Sequence, residues 1–505
     1  MSVRRKWARE IRATRLSLGM VVFSAPAFAQ GVIPQRAATP VPDPAPAPAA
    51  APVVAPAPAI TEPVAPVATS TAAPEEPLPP APAALPELPP TTVDVAAHDA
   101  EATPAAPDED WYDSFDVRVF ADAYYSLNYN SPKPQLGGND VIRAFDSANG
   151  FSLGWAGLDI SHPAEPVGGT LALRFGPTAK RYASSCLTAK CDADYSLENV
   201  KQAFASWRPG GGSSPVTIDF GKFDTIYGAE IAESQDNLNY TRGVLYWLGQ
   251  PAFHTGLRVN AELTRNLNLR ALLVNGWNNT IDNNSGKTFG LQATAHAART
   301  DSHDWFSASI GYLGGPERDD TVPVTCPSGS VFDSSSATGC KLSVAPGNTT
   351  GTLDRPSTNS KGWRHFVDLL VTSDPTEKLH LVLNGDFGYE SQRDAGLSTH
   401  FTGKSWLGAM VAARYSFSDH FAAAGRVEVY HDQKGVTTGS VNGVPITKAT
   451  IETYTLTLDY LPTKNLLLRL DNRLDNSNKQ MFPKGLRELS ATLFTTTLGV
   501  VVTTN

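Results

Sequence analysis

The sequence has 505 residues, with 41 Lys and Arg against 50 Asp and Glu, a net charge of −9, and 41% hydrophobic residues. That balance offers no basic footprint for nucleic acid, so a nucleic-acid partner is not expected. From Trp111 onward no uncharged apolar run reaches the ~18 residues that a helical membrane span requires, which excludes helical membrane spans there.

The first 29 residues place Arg4, Arg5, Lys6, Arg9, Arg12 and Arg15 ahead of an apolar run from Leu16 to Phe23, then close on Ala27-Phe28-Ala29. This charged, apolar and small-residue order predicts a secretory signal over 1–29. Residues 31–110 contain 21 of the 39 prolines, interleaved with Ala, and no aromatic side chain. Such a segment cannot offset its ordering entropy by burial, so 30–110 is expected to be a disordered Pro/Ala-rich linker. Its local preference is extended polyproline II, at ~3 Å per residue, long enough to serve as a spacer toward the cell wall.

From Trp111 onward 34 basic residues stand against 38 acidic ones, and alternation with period two dominates. Phe115, Val117, Val119, Ala121, Ala123, Tyr125 and Leu127 share one face of the first segment, opposite Asp116, Arg118, Asp122, Ser126 and Asn128. The pattern returns in Leu267, Leu269, Ala271 and Leu273 opposite Asn268 and Arg270, and in Phe289, Leu291, Ala293 and Ala295 opposite Gln292, Thr294 and His296. Leu379, Leu381, Leu383 and Phe387 oppose His380, Asn384 and Asp386; Tyr454, Leu456, Leu458 and Tyr460 oppose Thr453, Thr455, Thr457 and Asp459; Leu466, Leu468 and Leu470 oppose Arg469, Asp471 and Arg473. Segments of about ten residues suit a membrane strand better than the five or six usual in soluble sheets. Alternation alone does not say which face points outward.

The connections supply that information. Short links at 163–169, 208–215, 264–266, 300–304, 374–378, 416–420 and 461–464 alternate strictly with long ones at 129–150, 177–198, 224–253, 276–286, 315–362, 390–403, 433–446 and 476–488. This short-turn, long-loop asymmetry is that of an outer-membrane barrel. The fold class expected for 111–505 is therefore all-β, a transmembrane antiparallel β-barrel of sixteen strands. The count assumes that 224–253 is one loop, although Val244-Leu-Tyr-Trp-Leu248 is apolar enough to form an extra strand. Tyr124, Tyr125, Trp155, Trp207, Tyr312, Trp363, Tyr389, Trp406, Tyr430 and Tyr460 lie near strand ends, where aromatic girdles are expected.

Phe220-Gly-Lys-Phe-Asp-Thr-Ile-Tyr-Gly-Ala-Glu230, Asn237-Leu-Asn-Tyr-Thr-Arg242 and Pro251-Ala-Phe-His-Thr-Gly256, with Asn149-Gly-Phe-Ser-Leu153 and Leu173-Arg-Phe-Gly-Pro177, resemble the β-barrel porins of the OmpL-like type, a Gram-negative outer-membrane family. The likeness runs from about Val117 to the C-terminus. It implies a pore-forming barrel and brings no catalytic residues with it.

Two local disulfides, Cys186 with Cys191 and Cys326 with Cys340, are the simplest pairing of the four cysteines within the long loops. No further metal ligands cluster near Cys186-x4-Cys191, so no metal is expected, and no cofactor. The absence of H-E-x-x-H, with no nucleophile elbow expected, leaves no catalytic residue to nominate. The third long loop carries Glu230, Glu233 and Asp236. In sixteen-stranded porins of the general type this loop folds into the lumen, so these carboxylates are candidates for a pore constriction facing wall arginines. Arg118, Arg174, Arg258, Arg270, Arg426, Arg469 and Arg473 are the candidates on the polar faces. The bland alternative is that the loop acids are solvated and the arginines pair with neighbours such as Glu428 and Asp471. The function expected is passive diffusion of small hydrophilic solutes or ions; the alternative is a structural barrel anchoring the Pro/Ala segment to the cell wall. Expected partners are outer-membrane lipid, the diffusing solutes or ions, peptidoglycan along 30–110 and, as an open alternative, further copies of the chain in a homo-oligomer.

If 31–108 has no packed core, deleting it leaves the heat-modifiable gel migration of the folded barrel intact. Loss of membrane insertion in that deletion would show that the segment is more than a spacer.

Overall fold

The computed structural model describes residues 114–504, apart from 133–141, 144, 147–148, 186–190, 301–302, 320, 335, 337–338, 344–346, 355–361, 394–400, 442–443 and 487. The expected signal and linker, 1–110, lie outside the described residues, as does Cys186.

Sixteen strands close into one antiparallel barrel. They are β1 (Asp116–Asn128), β2 (Gly150–His162), β3 (Val167–Phe175), β4 (Val200–Trp207), β5 (Val216–Asp224), β6 (Phe253–Thr264), β7 (Leu267–Val274) and β8 (Thr288–Thr300). The second half comprises β9 (His303–Pro316), β10 (Trp363–Thr376), β11 (Leu379–Arg393), β12 (Phe401–Ser416), β13 (Phe421–Asp432), β14 (Ala449–Thr463), β15 (Leu466–Ser477) and β16 (Thr492–Thr503). Each strand pairs with the next, and β16 returns to β1 in a register running from Phe120↔Thr503 to Asn128↔Thr495. Strands of 8 to 16 residues are long enough, when tilted, to cross a hydrocarbon layer. The expected seventeenth-strand candidate is instead a single π-helical turn, Leu245–Gly249, inside the third loop.

The alternation resolves with the apolar faces outward. Val117, Val119, Tyr125 and Leu127 of β1 are exposed, whereas Phe120, Asp122, Tyr124, Ser126 and Asn128 are buried inside. Tyr454, Leu456, Leu458 and Tyr460 face out from β14, while Thr453, Thr455, Thr457 and Asp459 face in. Tyr125, Trp207, Tyr389 and Tyr460 lie on the outer surface as a girdle requires. Tyr124, Trp155, Trp406 and Tyr430 do not: they point into the lumen and are buried there. Their parity explains the correction, since Tyr124 shares its face with Asp122 and Ser126, and Tyr430 shares its face with Arg426 and Glu428.

Trp155 and Tyr124 sit in two smaller apolar clusters, and Trp406 and Tyr430 form part of a larger one inside the barrel. Phe223, Tyr227, Leu245, Leu248, Trp277, Phe366, Trp406, Met410 and Tyr430 belong to it. Trp277 meets Phe366 and Trp406 edge-on at centroid distances of 5.3 and 6.0 Å, geometries that the ring quadrupoles favour.

The loop between β9 and β10 builds two short ladders, 321–325 with 350–354 and 330–332 with 340–342. Cys326 and Cys340 are joined there by a disulfide, and Cys191 is also disulfide-bonded. Replacing Cys326 and Cys340 with Ser should open this hairpin to protease without changing the heat-modifiable migration of the barrel, because the cross-link ties no barrel strand. A barrel that failed to form would show that the hairpin takes part in assembly.

Candidate functional site

The third loop, 225–252, leaves β5 and returns to β6 through a neck closed by the Thr225 N–H, which donates to the Ala252 carbonyl at 3.1 Å. Beyond that neck the chain carries many polar and charged residues that burial could not leave unpaired, so it must find partners on the polar inner wall. Tyr227 lies against the inner faces of Gly290 and Gly311, and its hydroxyl donates to the Tyr312 carbonyl at 2.8 Å. The Gly228 N–H donates to Asp368 Oδ1 on β10 at 3.2 Å, and the Ala229 N–H to Asn384 Oδ1 on β11 at 3.0 Å.

The three candidate carboxylates then reach four strands of the wall. Arg426 Nη1 on β13 donates to Glu230 Oε1 at 2.5 Å, and the Gly243 N–H donates to Glu230 Oε2 at 2.7 Å. Arg174 Nη2 on β3 donates to Glu233 Oε1 at 2.6 Å, with Lys201 Nζ of β4 at 3.1 Å from the same oxygen. Arg118 of β1 grips Asp236 through both terminal nitrogens, at 3.1 Å each. Burial opposes charge at Glu233, but Lys201 and Arg174 outweigh it and hold its carboxyl well below the usual range. At Glu230 burial wins over the attraction of Arg426 and pushes the carboxyl up.

The return limb is held as closely. The Tyr240 hydroxyl and Ser234 Oγ both donate to Asp122 on β1, at 2.7 Å each. The Tyr240 and Thr241 N–H groups donate to Asp471 Oδ2 on β15 at 2.9 and 3.0 Å. The Tyr240 ring fits only because residue 499 is glycine: a Cβ there would stand 2.2 Å from the ring. Trp406 Nε1 donates to the Gly249 carbonyl at 3.0 Å, and the Tyr430 hydroxyl to the Leu248 carbonyl at 3.2 Å. The loop therefore bonds to wall strands on both sides of the lumen.

Of the seven wall arginines, Arg118, Arg174 and Arg426 meet the loop acids. Arg469 and Arg473 meet loop carbonyls instead: Arg469 Nη1 donates to Ser234 O at 2.7 Å and Arg473 Nη1 to Arg242 O at 2.6 Å. Both also pair with wall acids, Asp459 at 2.7 Å and Asp475 at 2.8 Å. Arg258 pairs with Asp219 at 2.8 Å, and Arg270 donates to Gln292 Oε1 at 3.0 Å; neither of these bonds involves the third loop. The neighbour pairing considered for Arg426 also exists, with Glu428 Oε2 3.1 Å from Nε, whereas Asp471 serves loop N–H groups rather than an arginine side chain as hydrogen-bond acceptor.

Sequence reasoning missed a second insertion. Within the loop after β1, Arg143 is fully buried and donates to Asp475 at 2.6 Å, to Asp146 at 2.5 Å and to Thr495 Oγ1 at 3.0 Å. Phe145 packs against Trp155 at 5.7 Å, with the Arg242 guanidinium 4.8 Å from its ring centre. No periodicity marks those residues. Lys201 and Asp122 were more accessible to inference, Asp122 from its inward parity on β1. Gly150-Phe-Ser-Leu-Gly154 spells G-x-S-x-G, yet it lies within β2 rather than at a strand-to-helix elbow, and Ser152 Oγ donates to the Leu153 carbonyl. Among the described residues no group of three or more His, Cys, Asp or Glu could hold a metal ion.

The family model described as "Putative beta-barrel porin-2, OmpL-like" matches residues 114–503. Among solved structures, the chain is similar to the outer membrane channel DcaP of Acinetobacter baumannii, at 13% identity and a TM-score of 0.43, covering 77% of this chain and 98% of that one. It is similar to the anion-selective porin from Comamonas acidovorans at 11% identity and a TM-score of 0.43, covering 77% and 99%. Pseudomonas putida OprB matches at 12% identity and a TM-score of 0.44, covering 77% and 94%. A search of curated proteins found no match.

Glu233→Gln would deprive Arg174 and Lys201 of a shared buried anion. The expected loss is on the order of 3 kcal/mol in loop seating, moderated by the partners each cation keeps, Asp159 and Asp224. Because the Glu233 carboxyl is held below the ordinary range, its contribution is complete at neutral pH, begins to shrink as pH falls below the ordinary carboxylate range and is gone below the lowered value. Limited proteolysis of 225–252 in the folded barrel should therefore run faster in the variant at pH 7, the difference shrinking progressively as pH falls below the ordinary carboxylate range.

Proposed function

The chain belongs to the OmpL-like β-barrel porin-2 family, and from that premise we propose that it is a porin of a Gram-negative outer membrane, passing small hydrophilic solutes or ions passively rather than catalysing a reaction. The observation that carries this reading is the chemistry of the lumen. Arg118, Asp159, Asp236 and Arg258 point inward and keep 17 to 22% of their side-chain surface exposed. A lumen whose only task was to support the sheet would be more cheaply filled with apolar side chains, since buried ion pairs often cost more in desolvation than they return. Charged groups kept wet inside a barrel serve a polar path.

In this proposal Glu230, Glu233 and Asp236, with Arg118, Arg174 and Arg426, form the constriction. Arg469 and Arg473 brace the loop from the wall, and Arg258 and Arg270 line the wall away from the acids. Residues 1–29 direct export, 30–110 space the barrel from the cell wall and contact peptidoglycan, and 111–505 form the barrel among outer-membrane lipid, alone or with further copies.

A second reading, a structural barrel that anchors the Pro/Ala segment, is favoured by one specific observation. Two loops, through Arg143 and Glu230 to Arg242, are seated across the lumen by buried bonds.

Stepwise ion conductance in planar bilayers separates the two. Conductance is expected from the purified chain, and neither conductance nor liposome swelling would favour the anchor. Replacing Glu230, Glu233 and Asp236 together with Gln should move the reversal potential toward anion preference, because carboxylates act over about a Debye length, ~8 Å at physiological salt. An unchanged reversal potential would place these acids outside the conducting path.

A further inference from the structure

We propose that Asp368 and Asp386 form a proton-operated latch that holds the third loop across the lumen, seated while the pair retains a shared proton and released when that proton passes to solvent. The proposal rests on the reading of the lumen as a conducting path. Asp368 on β10 stands directly opposite Asp386 on β11 in the register, and the two are 0% and 1% exposed. Asn384 Nδ2 donates to Oδ1 of both, at 2.8 and 3.4 Å. The loop is seated on this same group, through the Gly228 N–H on Asp368 Oδ1 and the Ala229 N–H on Asn384 Oδ1. The remaining oxygen of each aspartate, Oδ2, is buried without a hydrogen-bond donor among the described residues.

Among the described residues the surroundings offer no compensating charge. From the loop comes Tyr227, whose hydroxyl is committed to Tyr312 O, and from the 245–249 turn come Leu245 and the backbone of Gly249. From β13 comes Tyr430, bonded to Leu248 O, with Glu428 further along the strand committed to Arg426. The neighbouring strands contribute glycine at the paired positions, Gly311 of β9 beside Asp368 and Gly408 of β12 beside Asp386. Arg364 of β10, at the next turn of the ladder, is committed to Glu390 of β11.

Two buried carboxyl groups in contact, with no cationic side chain beside them among the described residues, cannot both ionise, so they share one proton. If the loop withdraws, water reaches both groups and the second proton leaves in the ordinary carboxylate range. The seated state therefore binds one proton more than the released state. Raising pH favours release, and a single linked proton changes the ratio of released to seated forms by about tenfold per pH unit across the transition.

The test compares the full chain and Asp386→Asn, whose neutral amide keeps the pair from becoming two anions, between pH 5 and 9. One measurement is planar-bilayer conductance; the other is amide exchange of Gly228 and Ala229 in proteoliposomes, corrected for the intrinsic pH trend. Asp368→Asn is the second variant should Asp386→Asn not insert. The expected result is a wild-type protection that falls about tenfold per pH unit, with rising conductance, and a variant that stays protected and low at every pH. Exchange that behaves in this way without conductance at any pH would support the latch and remove the porin reading. A wild-type exchange profile flat in pH, or the same in the variant, overturns the latch. So does a dependence that EDTA abolishes or calcium creates, which would assign the pair to a cation instead.

Discussion

In hydrocarbon an unpaired backbone N–H or C=O has no water to turn to, and every other feature of this molecule follows from how the chain avoids that cost. The ladder between β1 and β16 removes the two free edges that a sixteen-stranded sheet would otherwise present to lipid. Once the sheet is closed, each strand has one face toward lipid and one toward an enclosed space. Val117 and Leu456 can then be exposed without penalty, while Asp122, Arg426 and Asp471 must be satisfied inside.

The interior solves that second problem with partners drawn from the loops. Wall cations such as Arg174 and Arg426 would be expensive if left unpaired at their depth, and the third loop brings them Glu233 and Glu230. The relation is reciprocal, because a loop with so many backbone groups buried needs acceptors and donors that only the wall offers. Asp471 takes two loop N–H groups, and Arg469 and Arg473 give hydrogen bonds to loop carbonyls. Loop and wall are thus one polar network, and charge on one cannot be changed without consequence for the placement of the other.

Polar pairing accounts for only part of the lumen. On the side of β10 to β13 the wall turns aromatic, and the 245–249 turn packs its apolar side chains there against Trp406 and Tyr430. This contact fixes the loop by burial, which is insensitive to salt, whereas the ion pairs near Arg118 are partly exposed and therefore screened. The Asp368 and Asp386 pair lies beside the same aromatic region and is buried with it.

The barrel was legible in the sequence because lipid imposes a two-residue period that a single strand displays by itself. Leu267, Leu269 and Leu273 opposite Asn268 and Arg270 need no knowledge of the rest of the chain, and the alternation of short and long links adds the direction of each strand. The third loop's acids and the wall arginines were legible as types, since parity places Arg118, Arg174 and Arg426 inside. Parity also held the information that Tyr124 and Tyr430 face inward, although proximity to strand ends suggested a girdle. What the tertiary structure alone decided is partnership. Arg174 with Glu233, Arg143 with Asp475 and Asp368 with Asp386 join residues 59, 332 and 18 positions apart. A loop has no periodicity to announce where it will lie, so its seat is set by which buried charges and backbone groups on the closed wall still lack a partner.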